Sequence, residues 1–239
     1  VIDGKLKPTK FKKGNELPTG FRYQEGYWYG IFYDPTVFLI NQNYARTVGQ
    51  KAITGWADLQ NLKEPRICME NLSNSISTQN FLGAFADNVG EQTSLTYFWN
   101  LNRFNNEYGK FPFSTVRKTA VGDADIGITR QSYVFKYLEN KFPAYVIIPK
   151  EGTPIDLYGM GLFKDCANES KAQIFMEWLM TSSDMQIFSQ QMQSGYEFLF
   201  NDAGSINKTE GLWLNNSYLT WKAQEDLTNR WLDIVRFSK

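Results

Sequence analysis

One segment of this chain passes from an apolar strand through a turn into a second strand and then into an amphipathic helix. Residues 146–148 are apolar and β-branched, and Pro149 ends this run because proline has no amide hydrogen to donate. A Gly/Pro turn follows, residues 158–163 predict a second strand, and residues 168–180 have apolar positions at helical spacing. This order constrains the segment to a layered fold in which a helix covers a sheet.

The rest of the chain alternates in the same way. Strands are predicted at 66–70, 125–128 and 145–148, and residues 26–33 and 36–41 predict two strands with a break or bend at Asp34-Pro35. The alternation predicts an α/β fold with mixed sheets. The predicted helices are 43–48, one starting at 54–59, 79–88, 92–108, 115–121, 131–139, 168–180, 185–192 and 219–237.

Composition excludes several classes of function. The chain has 239 residues, 25 basic and 25 acidic, and its one basic cluster at 5–13 has the character of a solvated loop, so a nucleic-acid partner is not expected. Histidine is absent, which removes histidine-based acid–base chemistry and imidazole metal ligands. Cys68 and Cys166 form no CxxC pair and are expected to be free, buried thiols. We therefore expect neither an enzyme nor a resident cofactor or metal.

Several blocks, taken in order, resemble one protein family. Besides the segment 146–180, these are residues 28–41, 54–59, 66–78, 122–128 and 221–231, which include T-G-W-A-D-L and G-D-A-D-I-G. Together they resemble the bacterial extracellular solute-binding proteins of the iron-type branch of class II periplasmic binding proteins. The family begins with a βαβ-rich segment that has no counterpart here, so the resemblance implies a two-lobed fold whose first lobe is incomplete.

The resemblance implies a division into lobes and a role. The first lobe would comprise 1–34 and 144–183, and the second 35–143 and 184–239. A small solute would be captured in the cleft by hinge closure and delivered to the membrane permease of an ABC importer. The protein would act as a monomer in the periplasm or outside the cell, lipid-anchored before processing. A ligand-sensing extracellular domain of a membrane receptor is the alternative from another class.

A serine-rich loop before the helix at 79–88 is one candidate binding element. Ser73, Ser75, Ser77 and Thr78 offer hydroxyl groups beside a helix start, where amides and the helix dipole favour an anion. The other interpretation is an ordinary helix cap, with Ser77 or Thr78 satisfying the first turn. The sequence leaves both interpretations open.

The segment after strand 125–128 is the second candidate, because ligands of open α/β sheets bind at the carboxyl ends of strands. Arg130 offers a planar fork for phosphate or carboxylate, although a surface position or a helix-end ion pair would explain it equally well. In iron-binding members of the family an adjacent tyrosine pair ligates ferric ion here, whereas this chain has Ser132 followed by Tyr133 alone. We therefore predict a small anionic solute, such as a sugar phosphate or phosphonate, over ferric iron ligated by Tyr133.

Aromatic residues supply one further candidate. Trp28 lies where the resemblance places the crossing between lobes and would cover a ligand there, although core packing is the commoner role. Trp56, Trp99 and Trp178 lie on predicted helices with apolar neighbours and are expected in the core. Asp123 and Asp125 are expected to be hydrogen-bonded turn residues.

Overall fold

The structure, a computed structural model, describes residues 4–49, 53–138, 142–192, 194–201 and 205–237 and has the predicted mixed α/β architecture. Its strands are β1 Leu6–Lys7, β2 Tyr29–Asn41, β3 Ile67–Glu70, β4 Asn105–Gly109, β5 Ile126–Arg130, β6 Ala144–Ile147, β7 Thr153–Met160, β8 Leu162–Phe163, β9 Glu197–Phe198 and β10 Leu212–Trp213. Its helices are α1 Lys12–Asn15, α2 Gln42–Val48, α3 Trp56–Leu59, α4 Ile76–Val89, α5 Glu91–Asn102, α6 Pro112–Val121, α7 Gln131–Leu138, α8 Glu169–Thr181, α9 Ser183–Met192 and α10 Trp221–Trp231, which continues as a π-helical turn at Leu232–Arg236. Across the described ranges, every helix is too short or too polar to cross a bilayer.

The chain forms two compact units. The first unit comprises Val1–Asp34 and Leu157–Glu210, and the second comprises Pro35–Asp156 and Gly211–Lys239. The first boundary coincides with the predicted one after Asp34. Residues 144–156 belong to the second unit, unlike in the predicted division, because β6 pairs with the second half of β2 and Thr153 Oγ1 donates to Thr36 O at 2.6 Å.

The other difference in the division concerns residues 184–210. The prediction placed them in the second lobe, but they belong to the first unit. Strand β9 explains this assignment, because it pairs with the first half of β2 through Phe32↔Phe198 and Tyr33↔Glu197.

A mixed sheet forms the centre of the second unit. Strand β3 pairs in parallel with β4 on one side and with β5 on the other, while β5 pairs antiparallel with β2 through Phe38↔Ile128. The carboxyl ends of β3, β4 and β5 therefore lie at one edge of the sheet. The core beneath the helices is largely aromatic and is built around Trp56, Phe85, Phe98 and Trp231.

The first unit is built from short elements around a tyrosine. Strands β1 and β8 pair antiparallel. The fully buried Tyr29 packs edge-on against Phe11, with ring centroids 5.6 Å apart, and its hydroxyl donates to Thr9 O at 2.7 Å. This phenol has an apolar ring and a polar tip, so it satisfies the buried carbonyl while filling the core.

Two predicted elements differ in the structure. Of the break or bend predicted at Asp34-Pro35, the break is wrong, because β2 continues through both residues. The ladder with β9 ends at Tyr33 and the ladder with β5 begins at Thr36, so the missing amide of Pro35 removes no hydrogen bond from either. The predicted helix 92–108 ends at Asn102, and its last residues form the edge strand β4.

The tryptophan predictions hold in part. Trp56 is buried as expected, and its indole Nε1 donates to Gly152 O at 3.0 Å. Trp99 and Trp178 are exposed, so their prediction as core residues is wrong. In α5 the buried position is the preceding Phe98, and in α8 the buried positions are Met176 and Met180, which lie on the opposite face from Trp178.

Both cysteines are free thiols, and they differ in exposure. Cys68 is buried, and burial raises the pKa of its thiol. Cys166 is only half-buried, so the expectation of burial is correct for Cys68 alone. The segment that contains Cys166 forms a turn before α8.

Candidate functional site: a recess at the strand ends of the second unit

An open recess of about 470 Å³ lies in the second unit beside the carboxyl ends of β3, β4 and β5. It is lined by Glu70, Asn74, Ser75, Ser77, Lys110, Phe111, Pro112, Arg130 and Tyr133. A narrower pocket of about 40 Å³ is lined in part by the same side chains and adds Thr78 and Asp156. The recess has the position that ligand sites take in open α/β sheets.

Three helices begin at this recess. Ser75 immediately precedes α4, Phe111 immediately precedes α6, which begins with Pro112, and Arg130 immediately precedes α7, which contains Tyr133. A helix start carries a partial positive charge of about half an elementary charge, although Pro112 contributes no amide hydrogen to the start of α6. The recess is therefore electropositive at the backbone level, which favours an anionic group.

The start of α4 is fixed by a reciprocal cap. Ser75 Oγ accepts from the Thr78 amide at 3.2 Å, and Thr78 Oγ1 accepts from the Ser75 amide at 3.1 Å. The cap is thus Ser75, not Ser77 or Thr78 as the helix-cap interpretation had it. The first intrahelical hydrogen bond of α4 is the one that the Gln79 amide donates to Ser75 O at 3.0 Å. The amides of Ile76 and Ser77 come earlier in the chain and therefore have no acceptor within the helix.

Ser73 is held away from this arrangement by a local turn. Its amide and hydroxyl both donate to Asn71 Oδ1, at 3.0 and 2.9 Å. This turn closes the loop between β3 and α4. Ser73 is absent from the lining of both pockets, so among the loop hydroxyls the structure brings Ser75, Ser77 and Thr78 to the site.

Arg130 is the most densely contacted side chain of the recess. Its Nη1 donates to Asp156 Oδ2 at 2.6 Å and to Ser77 Oγ, and Ser77 Oγ in turn donates to Asp156 Oδ2. Its Nη2 donates to the Tyr133 hydroxyl at 3.4 Å, and the guanidinium lies 4.9 Å from the centre of that ring. The side chain is only 15% exposed, so Arg130 is an interior ion-paired residue and not a surface arginine.

Two carboxylates neighbour Arg130, and sequence reasoning missed both. Besides Asp156, Glu70 Oε2 lies 3.6 Å from Arg130 Nη2. Burial disfavours the charged guanidinium, but the two carboxylates outweigh that effect and hold the pKa of Arg130 above its ordinary value. Burial also raises the pKa of Glu70, an effect that Arg130 partly opposes and Asp156 reinforces.

The remaining candidates lie in different places. Ser132 is buried within α7 and does not line either pocket of the site. Trp28 belongs to the first unit, where it lines a shallow recess with Leu6 and Gly159. Ser75, Ser77, Thr78, Arg130 and Tyr133 are therefore the predicted residues that the second unit gathers.

The recess is lined by charged side chains of both signs. Within the described ranges, no group of three or more Cys, Asp or Glu side chains is placed to hold a metal ion. The Tyr133 hydroxyl faces the Arg130 guanidinium, and Lys110 adds a second positive side chain at the rim. A ferric ion at Tyr133 would meet both positive charges.

Comparison with known proteins agrees with this fold. Residues 2–210 match the family described as bacterial extracellular solute-binding protein. The periplasmic binding protein AfuA from Actinobacillus pleuropneumoniae, solved with fructose-6-phosphate bound, has a TM-score of 0.72 and 19% identity over 99% of this chain and 78% of its own. A Trichodesmium protein named IdiA or FutA, solved with iron and citrate, has a TM-score of 0.74 and 19% identity over 96% of this chain and 77% of its own.

A curated relative is similar at the level of sequence. The protein named "Iron uptake protein A1" of Synechocystis sp. is 23% identical over 206 residues, which is 81% of this chain and 55% of that protein. This chain therefore spans about half the length of that relative. At such identities the likeness to solved structures shows a shared fold. The ligands of the two solved proteins differ, since one holds a sugar phosphate and the other holds iron with citrate.

Proposed function

This chain belongs to the bacterial extracellular solute-binding proteins, which bind small solutes outside the cytoplasmic membrane for ABC importers, and we propose that its solute is a small organic anion. The class we favour is a sugar phosphate or phosphonate. The observation that carries the proposal is the meeting of three helix starts with Arg130 and Lys110 at one recess of the second unit.

The sum of the charges around the recess supports an anionic solute despite the two carboxylates. Arg130 and Lys110 together offset the charges of Glu70 and Asp156, so the partial positive charges of the three helix starts set the sign of the remaining field. At about half an elementary charge each, they contribute roughly one and a half positive charges. A phosphate or phosphonate group would therefore enter a field of opposite sign.

Arg130 supports the proposal through the Nε–Nη2 edge of its guanidinium, which lies 3.6 Å from Glu70 Oε2 and, among the described residues, makes no hydrogen bond shorter than 3.4 Å. Asp156 and Ser77 hold Nη1, and in the part of the chain that the structure describes Nε has no acceptor. Nη2 makes one long hydrogen bond of 3.4 Å to Tyr133. We propose that Asp156 orients the guanidinium while the Nε–Nη2 edge donates to two oxygens of the anion, the bidentate geometry that arginine forms with phosphate.

Iron is the competing cargo because similar proteins are named for iron uptake or were solved with iron bound. The residues of this chain argue against it, since Tyr133, which among the described residues is the tyrosine that lines the recess, contacts a guanidinium. A hard, highly charged cation needs several oxygen ligands without an adjacent positive charge. The sensor alternative would use the same recess and would differ in what the chain is attached to.

Binding of phosphate esters tests the proposal. We expect Arg130→Ala to weaken binding of a hexose phosphate more than tenfold in calorimetric titration, and Arg130→Lys, which keeps the charge but not the fork, to weaken it less. Arg103→Ala is the matched control, because Arg103 is exposed, directly follows α5 and lies 4.5 Å from the centre of the Phe104 ring. Equal affinity of wild type and Arg130→Ala would remove Arg130 from the site.

Elemental analysis of the purified protein tests the class of cargo. We expect native mass spectrometry to show a bound mass that contains phosphorus and no iron. Stoichiometric iron that resists dialysis would contradict the anion proposal, since the recess would then have to hold a cation beside Arg130 and Lys110.

A further inference from the structure

Glu70 is a mostly buried carboxylate whose hydrogen-bonding capacity the fold leaves unused. It ends β3, lines the recess and has a side chain only 13% exposed. Among the residues that the structure describes, none donates a hydrogen bond to it, and its ion-pair partner Arg130 lies 3.6 Å away, beyond hydrogen-bond distance. Asp156, by contrast, accepts from both Ser77 and Arg130.

An ionised carboxylate has about four acceptor positions, and leaving them unfilled away from bulk water is unfavourable. Burial already raises the pKa of Glu70, which is the electrostatic sign of that penalty. Because its carboxylate lines the recess, a hydrogen-bond donor that enters the recess reaches it directly. A solute that brings such a donor gains a charge-assisted hydrogen bond that a simple anion lacks.

The neighbours of Glu70 decide which kind of donor it can take. Arg130 lies beside it, Lys110 lines the same recess, and three helices start there, so an ammonium group would enter a positive field. The negative neighbour Asp156 is paired with Arg130. A neutral hydroxyl donates a hydrogen bond without that repulsion, and it is therefore the donor that the surroundings favour.

We infer that Glu70 is a specificity-determining residue that selects, among small organic anions, those carrying hydroxyl groups near the anionic group. The inference rests on the proposed function, because it assumes that the anionic group occupies the recess beside Arg130. A phosphate ester with an alkyl chain would then bind more weakly than a sugar phosphate of similar length, and inorganic phosphate would lack the contact altogether.

Three probes of similar length separate the possibilities in calorimetric titration: fructose 6-phosphate, hexyl phosphate and 6-aminohexyl phosphate. Wild type should bind fructose 6-phosphate at least about tenfold more tightly than hexyl phosphate, the value of one charge-assisted hydrogen bond. Glu70→Ala should abolish this preference while binding hexyl phosphate as well as wild type or better, because it removes a negative charge from the recess.

Glu107→Gln is the matched control, since Glu107 lies on the adjacent strand β4 with an exposed side chain paired to Lys118. It should keep the wild-type preference. Circular dichroism and thermal unfolding of Glu70→Ala establish that the variant is folded, and Glu70→Gln, which keeps an acceptor oxygen, should retain part of the preference.

The outcomes separate the inference from the proposed function. Equal binding of fructose 6-phosphate and hexyl phosphate by wild type, or an equal loss of both in Glu70→Ala, overturns the role of Glu70 and leaves the anion recess standing. A preference for 6-aminohexyl phosphate that disappears in Glu70→Ala overturns the selection for hydroxyl groups. Failure of wild type to bind any of the three overturns the anion recess and the inference with it.

Discussion

Removing the cation from a buried charge cluster should destabilise the second unit strongly, and Arg130→Ala is the change that does so. Arg130 contacts Asp156 at 2.6 Å and lies 3.6 Å from Glu70, with side chains that are 13–15% exposed. Without the guanidinium, both carboxylates stay in place without their ion-pair partner and also repel each other. Breaking buried pairs of this kind costs about 3–5 kcal/mol, and we expect Arg130→Ala to fall in that range at pH 7.

The structure supplies a control with the same chemistry in a different environment. Arg230 Nε contacts Glu91 Oε1 at 2.6 Å, the same distance, but the two side chains are 43% and 34% exposed. Solvent screens such a pair, so Arg230→Ala should cost less than about 1 kcal/mol. The difference between the stability losses of Arg130→Ala and Arg230→Ala isolates burial as the cause of the larger loss.

The cost of Arg130→Ala should also depend on pH in a known direction. The pKa of Glu70 is raised in the folded protein, so the stability this group contributes is present below its unfolded pKa of about 4.3 and is lost as the pH rises through its folded pKa. Removing Arg130 takes away the contact that lowers this pKa. The free energy of unfolding that Arg130→Ala loses should therefore be largest at pH 7 and should become smaller towards pH 4.

Urea denaturation followed by tryptophan fluorescence measures these differences, at pH 7 and at pH 4, for wild type, Arg130→Ala and Arg230→Ala. Adding Glu70→Gln and Asp156→Asn to Arg130→Ala should recover more than half of the lost stability, because the uncompensated charges are gone. A loss of unfolding free energy in Arg130→Ala below about 1 kcal/mol, or a loss that is equal at both pH values, would refute the reasoning.

Two further predictions concern other parts of the structure. Glu151→Ala should lower stability by about 1 kcal/mol in urea denaturation, because its carboxylate accepts the Trp56 and Ala57 amides at the start of α3, at 3.1 and 3.2 Å; an unchanged midpoint would contradict this cap. Iodoacetamide should modify Cys166 in the folded protein and Cys68 only after unfolding, as read by mass spectrometry, because Cys68 is buried with a raised pKa. Modification of Cys68 first would contradict the packing of β3.

Much of the architecture follows from local sequence. Polar residues directly after predicted strands indicated where the site lies, and Arg130 and Ser77 do meet in the structure. The order of strands and helices also predicted the mixed α/β fold. These features are local because strand ends and helix starts are encoded within a few residues.

The missed features depend on contacts between distant parts of the chain. Asp156 reaches Arg130 through the placement of β7, and nothing near Asp156 indicates an ion pair. Strand β4 contains Asn-Asn-Glu-Tyr-Gly, which has weak strand propensity and depends on pairing with β3. Thr54 resembles a cap of α3, but Asp58 accepts its amide and hydroxyl and Glu151 binds the amides of the first turn.

The two sequence interpretations of the serine loop, helix cap and anion site, turn out to be compatible. Ser75 and Thr78 use their hydroxyls on each other's amides, which fixes the first turn of α4. A fixed first turn holds the Ile76 and Ser77 amides ahead of the first intrahelical bond in one orientation, so an anion would not have to order them. Capping therefore prepares the backbone donors for the proposed anion, and the hydroxyl of the loop that meets the charged cluster is that of Ser77.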